Sequence, residues 1–168
     1  MKTQTMSIAY KAMMFARVVH AEQLRKYTAN AYVDHLAEVA GIVAAVGASD
    51  EMIAIAWLHD CIEDQGVSVH ALRDEFGDIV AAGVLMLSDL EAGNRVERKA
   101  ASRVRLAAAP GWVQTIKCAD LISNTSSIVK HDPKFAVTYL EEKRLLLDVL
   151  TLADQRLVTI ARQQAGTA

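Results

Sequence analysis

Apolar residues recur at helical spacing along most of the chain, and short polar or glycine-containing stretches separate them. The pattern predicts a first helix from Ser7 to about Lys26 and a second from Tyr32 to Val46. Start and stop residues then delimit further helices. These are 51–64 after Ser49 and Asp50, 69–76 after Ser68, 78–90, Asn94 to about Ala108, 113–130, and a last long helix from Asp132 and Pro133.

Three of these assignments depend on specific signals. The apolar segment 78–90 suits a buried helix or a strand by periodicity alone, but its length and its alanines favour a helix. Asn94 with Glu97 three residues later forms a capping-box pattern, and a proline directly after Asp132 is typical of a first helical position. No alternating strand pattern, internal repeat or interdomain linker is found. We therefore expect an all-α fold built as a single domain over residues 1–168.

Composition supports this expectation and narrows the function. The 168 residues are 52% apolar, with two prolines and eight glycines, so the chain can bury a sizeable core and favours helices. A formal net charge of −2 argues against a general nucleic-acid binder, although a local basic pocket for a small anion is compatible with it. No apolar run is long enough to span a membrane. The first residues lack the apolar core of a signal peptide, so a cytoplasmic location is expected.

The two cysteines, Cys61 and Cys118, form no CxxC pair and have no zinc-knuckle spacing. Each lies inside an apolar segment. We expect two buried thiols in a reducing compartment rather than a disulfide or a zinc site.

Residues 54–66, AIAWLHDCIEDQG, combine an apolar run with four ionisable groups. If the stretch is one helix, His59 lies above Glu63 and Asp60 above Asp64, because residues four apart share a face. A polar, solvated helix end is the ordinary explanation for such a pattern. It weakens here because the run AIAWL is apolar on every side, so the His-Asp pair would line a cavity, where charges need partners or a metal.

Further metal ligands would have to come from other helices. His35 lies on the predicted second helix, and Asp120 follows an apolar run with Asn124 one turn later. Taken singly, His35 is more often a core or surface residue, and Asp120 could be a helix cap or a salt-bridge partner of Lys117. Two imidazoles and two carboxylates together suit a borderline cation such as Mn²⁺, Fe²⁺, Co²⁺ or Zn²⁺, and the absence of thiolates argues against a closed structural zinc site.

The order His35, His59-Asp60, Asp120 resembles the H…HD…D signature of HD-domain metal-dependent phosphohydrolases. Four segments resemble one branch more narrowly, the alarmone hydrolases, which comprise small stand-alone enzymes and the hydrolase domain of Rel/SpoT enzymes. The segments are HAEQLRK (20–26), YVDH (32–35), LHDCIED (58–64) and IKCADLISNT (116–125), and EFGDIVAAGVLMLSD (75–89) adds to them. The resemblance covers roughly residues 10–160 and implies an HD-type helical bundle.

The resemblance also implies an activity and roles for individual residues. It implies Mn²⁺, other divalent transition metals being compatible, and the release of pyrophosphate from the 3′ position of a substrate such as ppGpp. The expected metal ligands are His35, His59, Asp60 and Asp120. Glu63 and Asp64 would position the attacking water and carry protons, as acid/base groups beside a metal do. Substrate contacts would come from Arg25, Lys26, Asn124 and Lys117.

Alternatives remain at this point. Arg95, Arg98 and Lys99 are further candidates for phosphate contact, but for them and for Lys117 a solvated helix face is the simpler explanation. Another HD phosphohydrolase acting on ppApp, NADPH or a deoxynucleoside monophosphate would show the same signature, as would a degenerate HD domain that binds a nucleotide without turnover. The expected partner is a small nucleotide rather than nucleic acid or membrane, and a homo-oligomer is compatible with the sequence.

Overall fold

The computed structural model describes residues 6–166, so part of the segment considered for a signal peptide (residues 1–5) lies outside the described range. Helices dominate these residues, and no strand occurs among them apart from an isolated bridge between Leu24 and Ala31. The all-α prediction is confirmed. The helices are α1 Ile8–Val19, α2 Val33–Ala45, α3 Asp50–Leu58, α4 Cys61–Gln65, α5 Val69–Phe76, α6 Asp78–Leu87, α7 Arg95–Ala107, α8 Gly111–His131, α9 Pro133–Leu147 and α10 Gln155–Gln164.

Helix α3 lies at the centre of the bundle and packs against α1, α2, α6 and α8. Its apolar residues are accordingly buried on several sides, with Ala54, Ile55, Ala56 and Leu58 all inaccessible to solvent. Helix α8 packs against α2, α9 and α10 as well as α3. The two helices that the sequence predicts to carry HD and the later aspartate are therefore neighbours in the core.

Side-chain caps begin the helices where the sequence predicts them. Ser49 and Ser68 each accept a hydrogen bond from the backbone amide three residues later. Asn94 forms a complete capping box with Glu97. Asp132 accepts from the amide of Phe135, and Pro133 occupies the first turn of α9. These starts depend on residues within four positions of each other, which is why local sequence predicts them.

The predicted helices differ most from the structure in three places. The first helix ends at Val19, and residues 20–32 form a loop that doubles back through the Leu24–Ala31 bridge. The helix predicted over 51–64 is interrupted, because α3 ends at Leu58 and α4 begins at Cys61. Finally, α10 follows α9, which the sequence analysis treated as the last helix.

The interruption has a local physical cause. The Nδ1 atom of His59 lies 2.7 Å from the carbonyl oxygen of Ala56, an acceptor that the amide of Asp60 would use in an unbroken helix. Asp60 lies at the edge of the right-handed helical region, with φ −102° and ψ −1°. The HD pair thus lies at a corner between two helices rather than on the side of one.

The structure also bears on the expectations for the two cysteines and for membrane-spanning helices. Cys61 and Cys118 are both free and buried, as predicted, and burial raises the pKa of each thiol to about 12. Among residues 6–166, no helix has the length and apolar character required to cross a membrane.

Candidate metal and nucleotide site

Four side chains from three parts of the fold converge, and we call them the His–Asp cluster: His35, His59, Asp60 and Asp120. His35 lies on the first turn of α2, His59 and Asp60 form the corner between α3 and α4, and Asp120 lies midway along α8. Both histidines and Asp120 are buried. The structure thus brings together all four residues that the sequence predicts as metal ligands.

The distances place these groups around one point. The Nε2 atom of His59 lies 3.0 Å from Oδ2 of Asp60 and 3.6 Å from Oδ1 of Asp120. The Nε2 atom of His35 lies 3.6 Å and 3.3 Å from the same two oxygens. His35, His59 and Asp120 each offer a ligand atom within 4.8 Å of the other two and could hold a metal ion. Asp60 reaches both imidazoles but does not belong to that mutually close trio.

Each imidazole is oriented by a hydrogen bond at its Nδ1 atom. Nδ1 of His35 lies 2.8 Å from Oγ of Ser123, whose hydroxyl donates to Oε2 of Glu38 at 2.7 Å, so the histidine must donate to the serine. Nδ1 of His59 donates to a backbone carbonyl. In the neutral imidazole each Nε2 therefore presents a lone pair, and both Nε2 atoms are buried with no hydrogen-bond partner. Such orientation through the second nitrogen is usual for metal-binding histidines.

Neighbouring donors keep the two aspartates ionised. Lys117 donates to Oδ2 of Asp120 at 2.8 Å, and Asn124 donates to Oδ1 at 2.7 Å. Burial opposes ionisation of Asp120, but Lys117 and the two histidines outweigh it and hold the pKa of Asp120 well below its usual range. The hydroxyl of Tyr32 donates to Oδ2 of Asp60 at 2.6 Å. Carboxylate ligands are thus available at neutral pH.

The same charges raise the pKa values of the two histidines. Burial alone would lower the pKa of His59, but Asp60 and Asp120 raise it well above its ordinary value. His35 shows the same balance, and its pKa is also raised. A bound cation must displace a proton from these nitrogens, so metal and proton compete for the site.

Glu63 and Asp64 lie one turn beyond the cluster on α4, and both are exposed. The Oε2 atom of Glu63 accepts the backbone N–H of Asp89 at 2.9 Å. Partial burial of its carboxyl group raises the pKa of Glu63, and the nearby Asp89 and Asp60 charges add to the rise, while the Asp89 N–H opposes it. Oδ2 of Asp64 accepts from the side-chain amide of Gln23 at 2.8 Å.

A second group of charges, which we call the Asp89 cluster, lies beside Glu63: Asp89, Glu91, Lys99, Ser102 and Arg105. The Asp89 carboxylate accepts from Lys99 at 2.8 Å, from Ser102 at 2.8 Å and from Arg105 at 2.6 Å. Arg105 also donates to Glu91 at 2.6 Å and to the carbonyl of Met86. This cluster ties the segment after α6 to α7.

Two adjoining pockets open next to the His–Asp cluster. The first, of about 150 Å³, is lined by Asp120, Lys117, Lys99 and several other polar residues. The second, of about 320 Å³, is lined by Arg25, Lys26, Tyr27, Tyr32, Phe135 and others. Arg95, Asn124 and Tyr139 line both. A ligand spanning the two pockets would meet cations, aromatic rings and an amide.

The substrate-binding residues predicted from the sequence reach these pockets. Nη1 of Arg25 donates to Oδ1 of Asn124 at 2.9 Å, and the Asn124 amide donates onward to Asp120. Lys26 lies 4.9 Å from the ring centre of Tyr27. Arg25 and Asn124 therefore connect the second pocket directly to a member of the His–Asp cluster.

The remaining basic candidates divide into two groups. Arg95 forms a two-pronged ion pair with Glu142 at 2.7 Å and lies over the ring of Phe135, while Lys99 belongs to the Asp89 cluster. Both line the first pocket, as does Lys117. Arg98 is exposed and lines neither pocket, so the solvated-face explanation describes it.

Several residues around the site were not predicted from the sequence. Ser123 and Glu38 lie more than 80 positions apart and meet only through the fold. Gln23 and Tyr32 belong to the quoted motifs, which could have drawn attention to them. Lys143 is 1% exposed, donates to Thr125 and Gln164, and has a pKa that burial lowers to about 8. It stands in the charged run EEKR, which gives no local sign of burial.

Comparison with known proteins gives a family match and several similar proteins. A family model described as the HD domain matches residues 12–137. A probable guanosine-3′,5′-bis(diphosphate) 3′-pyrophosphohydrolase from Synechocystis is 32% identical over 130 residues, which is 74% of this chain and 17% of the relative. A probable GTP pyrophosphokinase from Mycobacterium leprae is 35% identical over 123 residues, 71% of this chain and 16% of the relative. The chain thus spans about a sixth of the length of these relatives.

A solved structure shares the fold over nearly the whole chain. It is described as a metazoan ortholog of SpoT that hydrolyzes ppGpp and plays a role in starvation responses. It superimposes with a TM-score of 0.87 at 22% identity and covers 96% of both chains. A second structure, lmo0812 from Listeria monocytogenes, gives a TM-score of 0.65 at 17% identity over 77% of this chain and 97% of its own.

Proposed function

Because this chain belongs to the HD domain family, we propose that it is a metal-dependent hydrolase of a ppGpp-like alarmone that releases pyrophosphate from the 3′ position. One observation carries the proposal. Two buried histidine Nε2 atoms without partners converge with two ionised carboxylates beside pockets that Arg25, Lys26 and Asn124 line. The names of the bacterial relatives and of the metazoan structure supply the choice of substrate.

The residues present suit a divalent transition metal. Two neutral imidazoles and two carboxylates are a typical ligand combination for Mn²⁺ and related ions, and we propose Mn²⁺ as the cation. His35, His59, Asp60 and Asp120 would hold it. When bound, the cation would lower the pKa of a coordinated water and polarise the phosphorus centre.

Other groups of the chain would then act on the water and the proton. The raised pKa of Glu63 makes its carboxylate a better proton acceptor than an ordinary glutamate near neutral pH. Asp64, held by Gln23, would orient the same water. Lys117 would keep Asp120 ionised and present positive charge to the phosphate. In the overall reaction one water is consumed, the P–O3′ bond breaks, and the ribose 3′-hydroxyl and pyrophosphate are released.

The pockets suit a nucleotide with two phosphate groups. The planar guanidinium of Arg25 and the rings of Tyr27, Tyr32 and Phe135 provide surfaces on which a purine can stack. The first pocket brings Lys99, Lys117 and Arg95 to bear on an anion. Asn124 lies between the two pockets, within reach of a ribose hydroxyl or a phosphate oxygen.

We also propose that the described helices act as a single hydrolase domain. The family match ends at residue 137, but α10 packs against α8, and Lys143 of α9 bonds to Thr125 of α8 and Gln164 of α10. The C-terminal helices therefore support the helix that carries Asp120.

A substrate panel tests the proposal. Purified protein is incubated with Mn²⁺ and ppGpp, ppApp, NADPH or dAMP, and pyrophosphate and orthophosphate are measured separately. Mn²⁺-dependent pyrophosphate release from ppGpp, together with about one bound ion per chain in metal analysis, is the expected result. Orthophosphate release from dAMP without pyrophosphate release from ppGpp would refute the alarmone assignment. A metal-free protein without turnover would favour nucleotide binding alone.

A further inference from the structure

The side chain of Gln23, in the loop between α1 and α2, joins that loop to Asp64. Its Oε1 atom lies 2.6 Å from Nδ1 of His20 and accepts from Nε2 of Gln65 at 2.5 Å. Its own amide group donates to Oδ2 of Asp64 at 2.8 Å. The backbone carbonyl of Gln23 also accepts the amide of Tyr32 at 2.9 Å. The loop is thereby attached to α4 through one glutamine.

Asp64 and His20 together favour one orientation of the Gln23 amide, because the carboxylate requires a donor and Nδ1 of His20 can supply one to the carbonyl. At 2.6 Å from a carbonyl oxygen, Nδ1 of His20 must carry the proton and donate it. A flipped amide would set its NH₂ group against that N–H and would turn its carbonyl toward the Asp64 carboxylate. Both contacts would be repulsive. The orientation that offers a donor to Asp64 therefore satisfies both neighbours, and His20, which is 2% exposed, stabilises it with a donor that has little freedom to move.

The same imidazole supports the other side of the site. Its ring stacks on Tyr32 with centroids 5.4 Å apart and an interplanar angle of 21°. Tyr32 donates its hydroxyl to Asp60, the corner residue of the His–Asp cluster. One buried side chain thus contacts both the residue that orients Asp64 and the residue that orients Asp60.

We propose that His20 is a positioning residue that fixes the Asp64 carboxylate through Gln23 and supports the Tyr32–Asp60 bond through its ring. The inference rests on the proposed function, in which Asp64 orients the attacking water. It assigns two separable tasks to one side chain, a hydrogen-bond donor toward Gln23 and a flat surface toward Tyr32.

Two substitutions of His20 separate these tasks. His20→Asn presents an amide N–H close to the position of Nδ1 and keeps the donor. His20→Phe keeps the ring on Tyr32 and loses the donor. We expect His20→Phe to lower kcat about tenfold or more, as loss of a supporting hydrogen bond does at metal sites, with KM, bound metal and Tm close to wild type. His20→Asn should retain most of kcat but bind the metal more weakly, because the ring that supports Tyr32 and, through it, Asp60 is lost. His70→Phe, at an exposed histidine of α5, is the matched control and should change nothing.

Gln23→Glu tests the connection between His20 and Asp64 at Gln23 itself. A glutamate keeps the acceptors for His20 and Gln65 but replaces the donor to Asp64 with a second negative charge. It should lower kcat at least as much as His20→Phe, and it keeps the proposal testable if the buried His20→Phe variant does not fold. A full rate in Gln23→Glu, or equal kcat losses in His20→Asn and His20→Phe, would contradict the proposal.

An NMR measurement gives a readout without substrate. The side-chain amide signals of Gln23 are identified by their absence in Gln23→Glu. They should keep their wild-type positions in His20→Asn and move toward those of a solvent-exposed glutamine in His20→Phe. Unchanged signals in His20→Phe would refute the positioning role even if ppGpp is hydrolysed. Failure of wild-type protein to release pyrophosphate would refute the function and leave this measurement valid.

Discussion

The His–Asp cluster and the Asp89 cluster are both groups of charged side chains beside Glu63, yet they differ in one respect. In the Asp89 cluster, Asp89 accepts from Lys99, Ser102 and Arg105, and among its buried atoms only Oε2 of Glu91 lacks a partner. In the His–Asp cluster both histidine Nε2 atoms lack one. Buried polar atoms are costly to leave unpaired, so unpaired lone pairs that face one another indicate a missing ligand, whereas paired charges indicate structure.

The pKa shifts of two aspartates sharpen this contrast. Burial would raise the pKa of Asp89, but Lys117 and Lys99 outweigh it and lower the pKa. The pKa of Asp120 is lowered for a related reason, with Lys117 again the strongest opposing charge. The aspartates therefore look alike electrostatically, and Lys117 acts on both. What separates them is the pair of imidazoles beside Asp120, which help to lower its pKa and have no counterpart at Asp89.

Removing a member of the His–Asp cluster should give the largest effect. We expect Asp60→Ala to lose the bound metal and to lower kcat about a thousandfold or more, because the several kcal/mol of charge stabilisation from the ion disappear. Metal content is measured by mass spectrometry on the purified protein and turnover by pyrophosphate release. Tm should also fall, because the Tyr32 hydroxyl and the two histidines lose the carboxylate that they face. Retention of one ion per chain in Asp60→Ala would show that Asp60 is not a ligand.

Glu63 lies between the two clusters, and Glu63→Gln should produce the next largest effect. Loss of the proton acceptor is expected to lower kcat about a hundredfold while the metal stays bound. Because the pKa of Glu63 is raised, the wild-type rate should climb with rising pH through a value above that of an ordinary glutamate. This climb should vanish in Glu63→Gln.

Protons also compete with the metal for the two histidines, and this competition affects the rate at low pH. The pKa values of His35 and His59 are raised, so protons displace the metal at a higher pH than they would for ordinary histidines. Metal content must therefore be measured at each pH point. If the ion is lost over the same pH range in which the rate falls, in both wild type and Glu63→Gln, the pH profile reports the ligands and not Glu63.

The Asp89 cluster should respond in the opposite way. Asp89→Asn deprives Lys99 and Arg105 of their shared carboxylate, and we expect a loss of about 2–3 kcal/mol in the free energy of unfolding with the metal retained. Denaturant unfolding measures the loss. Asp74→Asn is the matched control, because it removes an exposed pair with His70 that should contribute almost nothing. Loss of metal in Asp89→Asn without loss of stability would remove the distinction between the clusters.

The sequence could predict the parts of this comparison that depend on nearby residues. Ser49, Ser68 and Asn94 begin helices through contacts three residues away, and the position of His59 and Asp60 at the end of an apolar run indicates a polar pair that lines a cavity. It could not predict the corner itself, because an imidazole bonding to the Ala56 carbonyl interrupts a segment whose composition is wholly helical. The missed α10 is a different case, since Asp154 caps it through a local bond that could have been recognised.

Long-range partners form the part that the sequence could not supply. Ser123 reads as one more polar residue in SNTSS, and nothing local distinguishes it from Ser126. Its hydroxyl is buried and links His35 to Glu38 only because α2 and α8 pack side by side. The signature residues of the site were predictable, whereas the residues that orient them depend on how the helices pack.

The smallest expected effect comes from a residue that orients a metal ligand. Ser123→Ala leaves Nδ1 of His35 without its acceptor, so the ring can rotate and its preferred tautomer is no longer fixed. Metal affinity should fall about tenfold, at the lower end of what such supporting residues contribute, while turnover at saturating Mn²⁺ should recover most of its wild-type value. Titration of metal-stripped protein with Mn²⁺ measures the affinity, and Ser126→Ala, exposed on the same helix, is the matched control. Equal affinities in the two variants would mean that packing alone holds His35, and the contrast between paired and unpaired atoms would then rest on His59.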